Sequence, residues 1–161
     1  MTTKTPTITN LPAVRVLSLR SVMLSLRVQE QLWEMVFEFA KAHDVRVVGP
    51  TFAIIHKSDG GMTDVVVDVE VCLPIAKYAQ VPKEKPFKVR NVPAVDRAVV
   101  MPYIYPGPDH GFYDGYETLF RWIGLKKLTP VGPSREVYVK RPTGNSEEDK
   151  DIITEIQLPI A

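Results

Sequence analysis

The chain is poor in the residues that staple a fold or hold a metal. One cysteine, Cys72, stands among 161 residues, which excludes an intramolecular disulfide framework and a cysteine-rich zinc site. The three histidines, His43, His56 and His110, lie far apart and outside any ligand spacing, so no metal site is expected. Excess charge of one sign is also missing. Twenty basic and 19 acidic side chains leave a formal charge of +1, without the basic surplus of a dedicated nucleic-acid-binding domain. No apolar run approaches the ~18–20 residues that span a bilayer, and the polar, threonine-rich start lacks a secretory apolar region. There is no Gly-x-Ser-x-Gly, no P-loop and no Gly-x-Gly-x-x-Gly after a strand. Tyr105-Pro-Gly-Pro-Asp-His-Gly111 lacks the Lys-Ser/Thr of a phosphate cradle. These absences point to a soluble, cytoplasmic protein with no cofactor and no direct contact with membrane or nucleic acid. What is plentiful is proline, 14 residues, in a chain that is 45% hydrophobic. That combination predicts a packed globular domain with sharp element boundaries.

Self-similarity organises the sequence. Asn10-Leu-Pro-Ala-Val14 resembles Asn91-Val-Pro-Ala-Val95, Val48-Gly49-Pro50 recurs as Val131-Gly132-Pro133, and Glu70 with Val71-Cys-Leu-Pro-Ile-Ala76 recurs as Glu155 with Ile156-Gln-Leu-Pro-Ile-Ala161. Each copy reads strand, helix, strand, strand. Ala13–Leu19 and Ala94–Met101 are predicted strands. Val28, Leu32, Met35, Val36, Phe39 and Ala40, then Phe112, Tyr116, Leu119, Phe120 and Ile123, recur at helical spacing. Each Val-Gly-Pro is expected to end the connection after its helix. The closing hairpins are Phe52–Lys57 with Asp64–Leu73, and Arg135–Lys140 with Ile152–Leu158. The fold class is therefore α+β: a single domain of two copies, about 10–76 and about 91–161, joined by a solvated linker at 77–90. The copies should pack about a pseudo-two-fold axis into one curved antiparallel sheet with both helices on one face.

Chemistry is expected from few residues. Glu136 and Tyr138 alternate with Val137 and Val139 on a strand. If the valines pack under the helix, the acid faces a cavity or solvent; the plain alternative is a surface carboxylate. Its counterpart in the first copy is Ala53, so the repeat breaks at the acid. Glu70 and Glu155 match each other and read as structural acceptors. Tyr103 and Tyr105 precede the second helix and are candidates to line a pocket with Tyr116. Trp33 and Trp122, one on each helix, and Phe52 complete the aromatic candidates. Gly111 and Gly115 would permit close approach to the second helix.

The segment Pro-Val-Gly-Pro-Ser-Arg-Glu-Val-Tyr-Val-Lys (130–140), with Ile-Thr-Glu-Ile-Gln-Leu-Pro-Ile (153–160), resembles the C-terminal signature of gyrase-inhibitor-like proteins. Gly-Phe-Tyr-Asp-Gly-Tyr-Glu-Thr-Leu-Phe-Arg-Trp (111–122) is similar to that family's second helix. These proteins are related to the effector-binding domains of AraC- and MerR-type multidrug-sensing regulators. The resemblance implies a ligand cleft between the repeats with a glutamate at its base for cationic drugs, which by motif match is Glu136 with Tyr138. The expected role is a stand-alone module that binds lipophilic, cationic or aromatic small molecules as a sensor or sequestering protein. Two other roles stay open. Glu136 with Tyr138 would serve a hydrolase of electrophilic compounds as general base. A topoisomerase inhibitor would use the acidic loop Glu147-Glu148-Asp149. A protein partner or a homodimer is compatible with each.

Overall fold

The computed structural model describes residues 5–23, 29–58, 67–105, 113–139 and 152–161. Among them, in chain order, are β1 (Thr7–Leu11), β2 (Val14–Met23), α1 (Gln29–Ala42), β3 (Thr51–Ser58), β4 (Val67–Pro74), β5 (Lys88–Val92), β6 (Val95–Tyr105), α2 (Tyr113–Leu125), β7 (Ser134–Tyr138) and β8 (Ile152–Pro159). The fold is α+β with antiparallel pairing. No helix among the described residues is long and apolar enough to cross a membrane. The chain divides into two compact units, Pro12–Ala94 and Met1–Leu11 with Val95–Ala161.

In the Pro12–Ala94 unit, β4 pairs with β3 on one side and β2 on the other, and β5 adds to β2. In the second unit, β8 pairs with β7 and β6, and β1 adds to β6. The strand–helix–strand–strand order expected from the sequence is present in each unit. The outermost strands are less obvious. β1 runs into β2 through Pro12 and Ala13 yet pairs with β6, and β5 runs into β6 through Pro93 and Ala94 yet pairs with β2. The presumed linker is accordingly anchored at its end. Lys88–Arg90 lies in β5, and Phe87 stacks on Phe39 of α1 with ring centroids 4.1 Å apart.

Both helices stop before the Val-Gly-Pro segments. Asp44 and Lys127 adopt left-handed backbone conformations, φ 53° and 55°. The next residues donate back across the turn, Val45 N–H to the Ala40 carbonyl and Leu128 N–H to the Ile123 carbonyl. This 6→1 closure caps the open carbonyls of a helix end. Val-Gly-Pro does something different: Val48 and Val131 donate to the carbonyls of Pro74 and Pro159. A Cβ on Gly132 would lie 3.3 Å from the Pro159 ring. The recurrent Val-Gly-Pro and Leu-Pro-Ile-Ala motifs are thus spatial partners within each unit.

The helical spacing holds for Leu32, Val36, Phe39 and Ala40 of α1 and for Leu119 and Ile123 of α2, all buried. Two residues assigned to the core by spacing are not in it: Met35 is 43% exposed and Phe120 50%. Val28, Phe112, Gly111 and the acidic loop at 147–149 lie outside the described residues.

Candidate functional site

Period-two alternation on β7 puts Ser134, Glu136 and Tyr138 on one face. Pairing brings Ile156 of β8 opposite Glu136 and Thr154 opposite Tyr138. Beyond them, on β6, stand Met101 and Tyr103. Helix α2 covers this same face. Leu119 and Ile123 pack with Val99, Met101, Ile156, Leu158 and Ile160. At Gly115 a Cβ would sit 3.1 Å from both the Tyr103 ring and the Ile156 Cδ1. The condition that the valines pack under the helix is not met: Val139 is exposed and Glu136 lies on the helix side. The surface-carboxylate alternative is excluded, because Glu136 is 2% exposed.

Two phenols meet the carboxylate. Tyr116, one residue along α2 from Gly115, donates its hydroxyl to Glu136 Oε1 at 2.8 Å, and Tyr138 donates to Oε2 at 3.3 Å. The Tyr116 hydroxyl also lies 3.3 Å from Ser134 Oγ. Burial pushes the Glu136 carboxyl above its ordinary range, and the two phenol hydrogen bonds only partly oppose it. Burial, then the neighbouring carboxylate, raises Tyr116 as well, so it stays a neutral donor. Among the described residues no arginine, lysine or histidine forms an ion pair with Glu136.

Glu70 is the counter-example. It is just as buried, at 2% exposure, but Arg90 clamps it through Nε at 2.8 Å and Nη2 at 2.6 Å. His56 Nε2 is a further 2.8 Å away. Burial alone would raise this carboxyl, yet the hydrogen bonds from Arg90, Ser18 and His56 together hold it down at about 2. Glu70 thus serves as a structural acceptor, for side-chain donors. Asp68, two residues before Glu70 on β4, is half-buried and forked to Arg20. Glu155 accepts from Gln157 at 2.7 Å.

Of the expected site residues, the structure gathers Glu136, Tyr116 and Tyr138 by hydrogen bonds and places Tyr103 on the same face, fully buried. The side chain of Tyr105, at the end of β6, lies outside the described residues. Trp122 packs against the α2 core cluster, with Lys126 Nζ 5.9 Å from its ring. Trp33 and Phe52 belong to the other unit: Trp33 lies 5.9 Å from the Phe37 ring, and Phe52 is buried opposite Cys72. Two residues on the site's face escaped the sequence reading. Ser134 carried a usable signal, two positions before Glu136 on the same strand. Thr154, fully buried with no hydrogen-bond partner for its hydroxyl among the described residues, is visible only once β8 is registered against β7.

The chain matches the family of GyrI-like small molecule binding domains over residues 4–161. It belongs to that family. This GyrI-like domain resembles the effector-binding domain of a MerR-type regulator. The EcmrR C-terminal domain superposes with a TM-score of 0.79 at 21% identity, over 100% of this chain and 99% of that one. In the EcmrR–DNA complex the TM-score is again 0.79 at 22% identity, over 97% of this chain, which spans only 57% of the relative's length. A hydrolase encoded by lin2189 from Listeria innocua gives 0.65 at 11% identity, over 97% and 91% of the chains. SAV2435 bound to tetraphenylphosphonium gives 0.60 at 13% identity, over 98% and 94%. At these identities the likeness is one of fold. No curated protein matches the chain.

Proposed function

We propose that this domain binds lipophilic cations, with Glu136 supplying the opposite charge and Tyr103, Tyr116 and Tyr138 the aromatic surroundings. One contrast carries the reading: of two glutamates closed off from solvent, Glu70 has a cation built in, and Glu136 has none among the described residues. A buried carboxyl without a partner charge is kept neutral by desolvation. A cation brought beside it restores the ionised form and gains a charge-assisted contact. Tyrosine faces add cation–π attraction, about 0.5–2 kcal/mol each. A ligand defined by charge and apolar area needs no fixed hydrogen-bond pattern. The half-buried Tyr116 and Tyr138 mark the side from which it would approach. The relative SAV2435 is bound to such a cation, tetraphenylphosphonium.

Tetraphenylphosphonium is the direct probe. Titration should quench tryptophan fluorescence saturably, and Glu136→Gln should weaken binding at least tenfold, as expected for a lost charged contact. Equal affinity in the variant removes Glu136 from the role.

A second reading rests on the same phenol pair. A buried carboxyl with a raised proton affinity, held by Tyr116 and Tyr138, suits a general base acting on water, and a hydrolase is among the fold relatives. Turnover of an electrophilic ester or epoxide, abolished in Glu136→Gln while ligand still binds, would favour it over binding alone.

A further inference from the structure

A second concavity lies wholly within the Pro12–Ala94 unit, on the face of β2, β4 and β5 that carries Glu70. It measures about 240 Å³ and is lined by Ser18, Arg20, Glu70, Pro86, Lys88 and Arg90. We propose that it is a binding site for a small oxyanion, a carboxylate or a phosphate.

The charge count favours an anion: three cationic side chains line the hollow against one carboxylate. That carboxylate is already spoken for. Glu70 receives Nε and Nη2 of Arg90, which leaves the Arg90 Nη1 group over. Asp68 likewise takes Nε and Nη2 of Arg20 and leaves its Nη1 group over. Two-point forks of this kind fix the plane of a guanidinium. The acids therefore orient the cations without exhausting their donors. Lys88, across from Ser18 on the edge strand β5, has no ion pair among the described residues. Its ammonium is a third donor for the same space. Pro86 adds an apolar residue to the lining. The volume lies below the roughly 300–1,000 Å³ of drug-sized pockets. It therefore suits a compact ion and not the bulky cation proposed for Glu136.

The test is titration of the full chain with inorganic phosphate in one arm and benzoate in the other, followed by amide NMR shifts. Saturable shifts confined to β2, β4 and β5 are expected in at least one arm, and the stronger arm identifies the oxyanion class. Lys88→Ala should weaken binding about tenfold, and Arg20→Gln should do so by a similar factor. Glu136→Gln should leave this titration unchanged, and Lys88→Ala should leave the tetraphenylphosphonium titration unchanged, so the two sites fail separately. No saturation below about 10 mM, the weak end of small-ion affinity, or an unaltered affinity in both Lys88→Ala and Arg20→Gln, overturns the proposal.

Discussion

Glu70 and Glu136 are both closed off from solvent but differ in their neighbours, and stability should reveal it. Arg90 and His56 stand beside Glu70, whereas among the described residues the hydrogen-bond partners of Glu136 are the phenols of Tyr116 and Tyr138. The Glu70 carboxyl sits at about 2 when folded, against about 4.3 in an unfolded chain. Its contribution is complete above the unfolded value and is lost as pH falls toward 2. The Glu136 carboxyl is raised by burial, so the folded state holds a proton that the unfolded state has released. Stability then declines as pH rises from about 4.3 through the raised folded value. Denaturant unfolding across pH should give a dome. Glu136→Gln should flatten its alkaline limb, by about 1.4 kcal/mol for each unit by which the wild-type carboxyl is raised. The same limb in wild type and variant would deny Glu136 its unpaired burial. Neither partner set follows from the sequence, because Arg90 lies 20 residues from Glu70 and Tyr116 lies 20 from Glu136.

Helix α2 holds two described glycines whose substitution should act in opposite directions. Gly124 has nothing within 4 Å of a built Cβ. Alanine there should raise stability by about 0.5–1 kcal/mol, through helix propensity and a less disordered unfolded chain. Gly115 lets α2 settle on Tyr103 and Ile156, both fully buried. Alanine there must push aside rings and methyls that have no free space, at a cost of about 1–3 kcal/mol. It should also disturb Tyr116 and so the Glu136 contact. Urea midpoints of the two variants, moving apart, would check this. Spacing picked out most of the buried helical residues, Met35 and Phe120 excepted, but it does not show how the helices end. The stop comes from left-handed Asp44 and Lys127, which no residue type announces as glycine would.

Over the whole chain, the first strand does not pair within the unit it leads into. β1 lies on β6, with Ile8 opposite Val99, and Leu11 packs with Ala98 and Val100. Removing residues 1–11 should strip one edge of β6 and expose that cluster, a loss on the order of 2–3 kcal/mol for the leucine alone. Amides of Val95–Val100 should lose hydrogen-exchange protection first, while those of β3 keep theirs. Uniform loss throughout would mean that the two units unfold as one.

The sequence by itself determined the α+β class, the strand–helix–strand–strand order of each half, most of each buried helical stripe and the acid on β7, because alternation, helical spacing and proline boundaries are local physics; the outer strands β1 and β5 it did not show. Its motifs also marked the family to which the chain belongs. Only the tertiary structure decided which face of β7 the helix covers, which strands the chain ends join, and which glutamate has a cation beside it. Those depend on registers and contacts between residues far apart in the chain, where the energy lies in the pair and neither residue declares it alone.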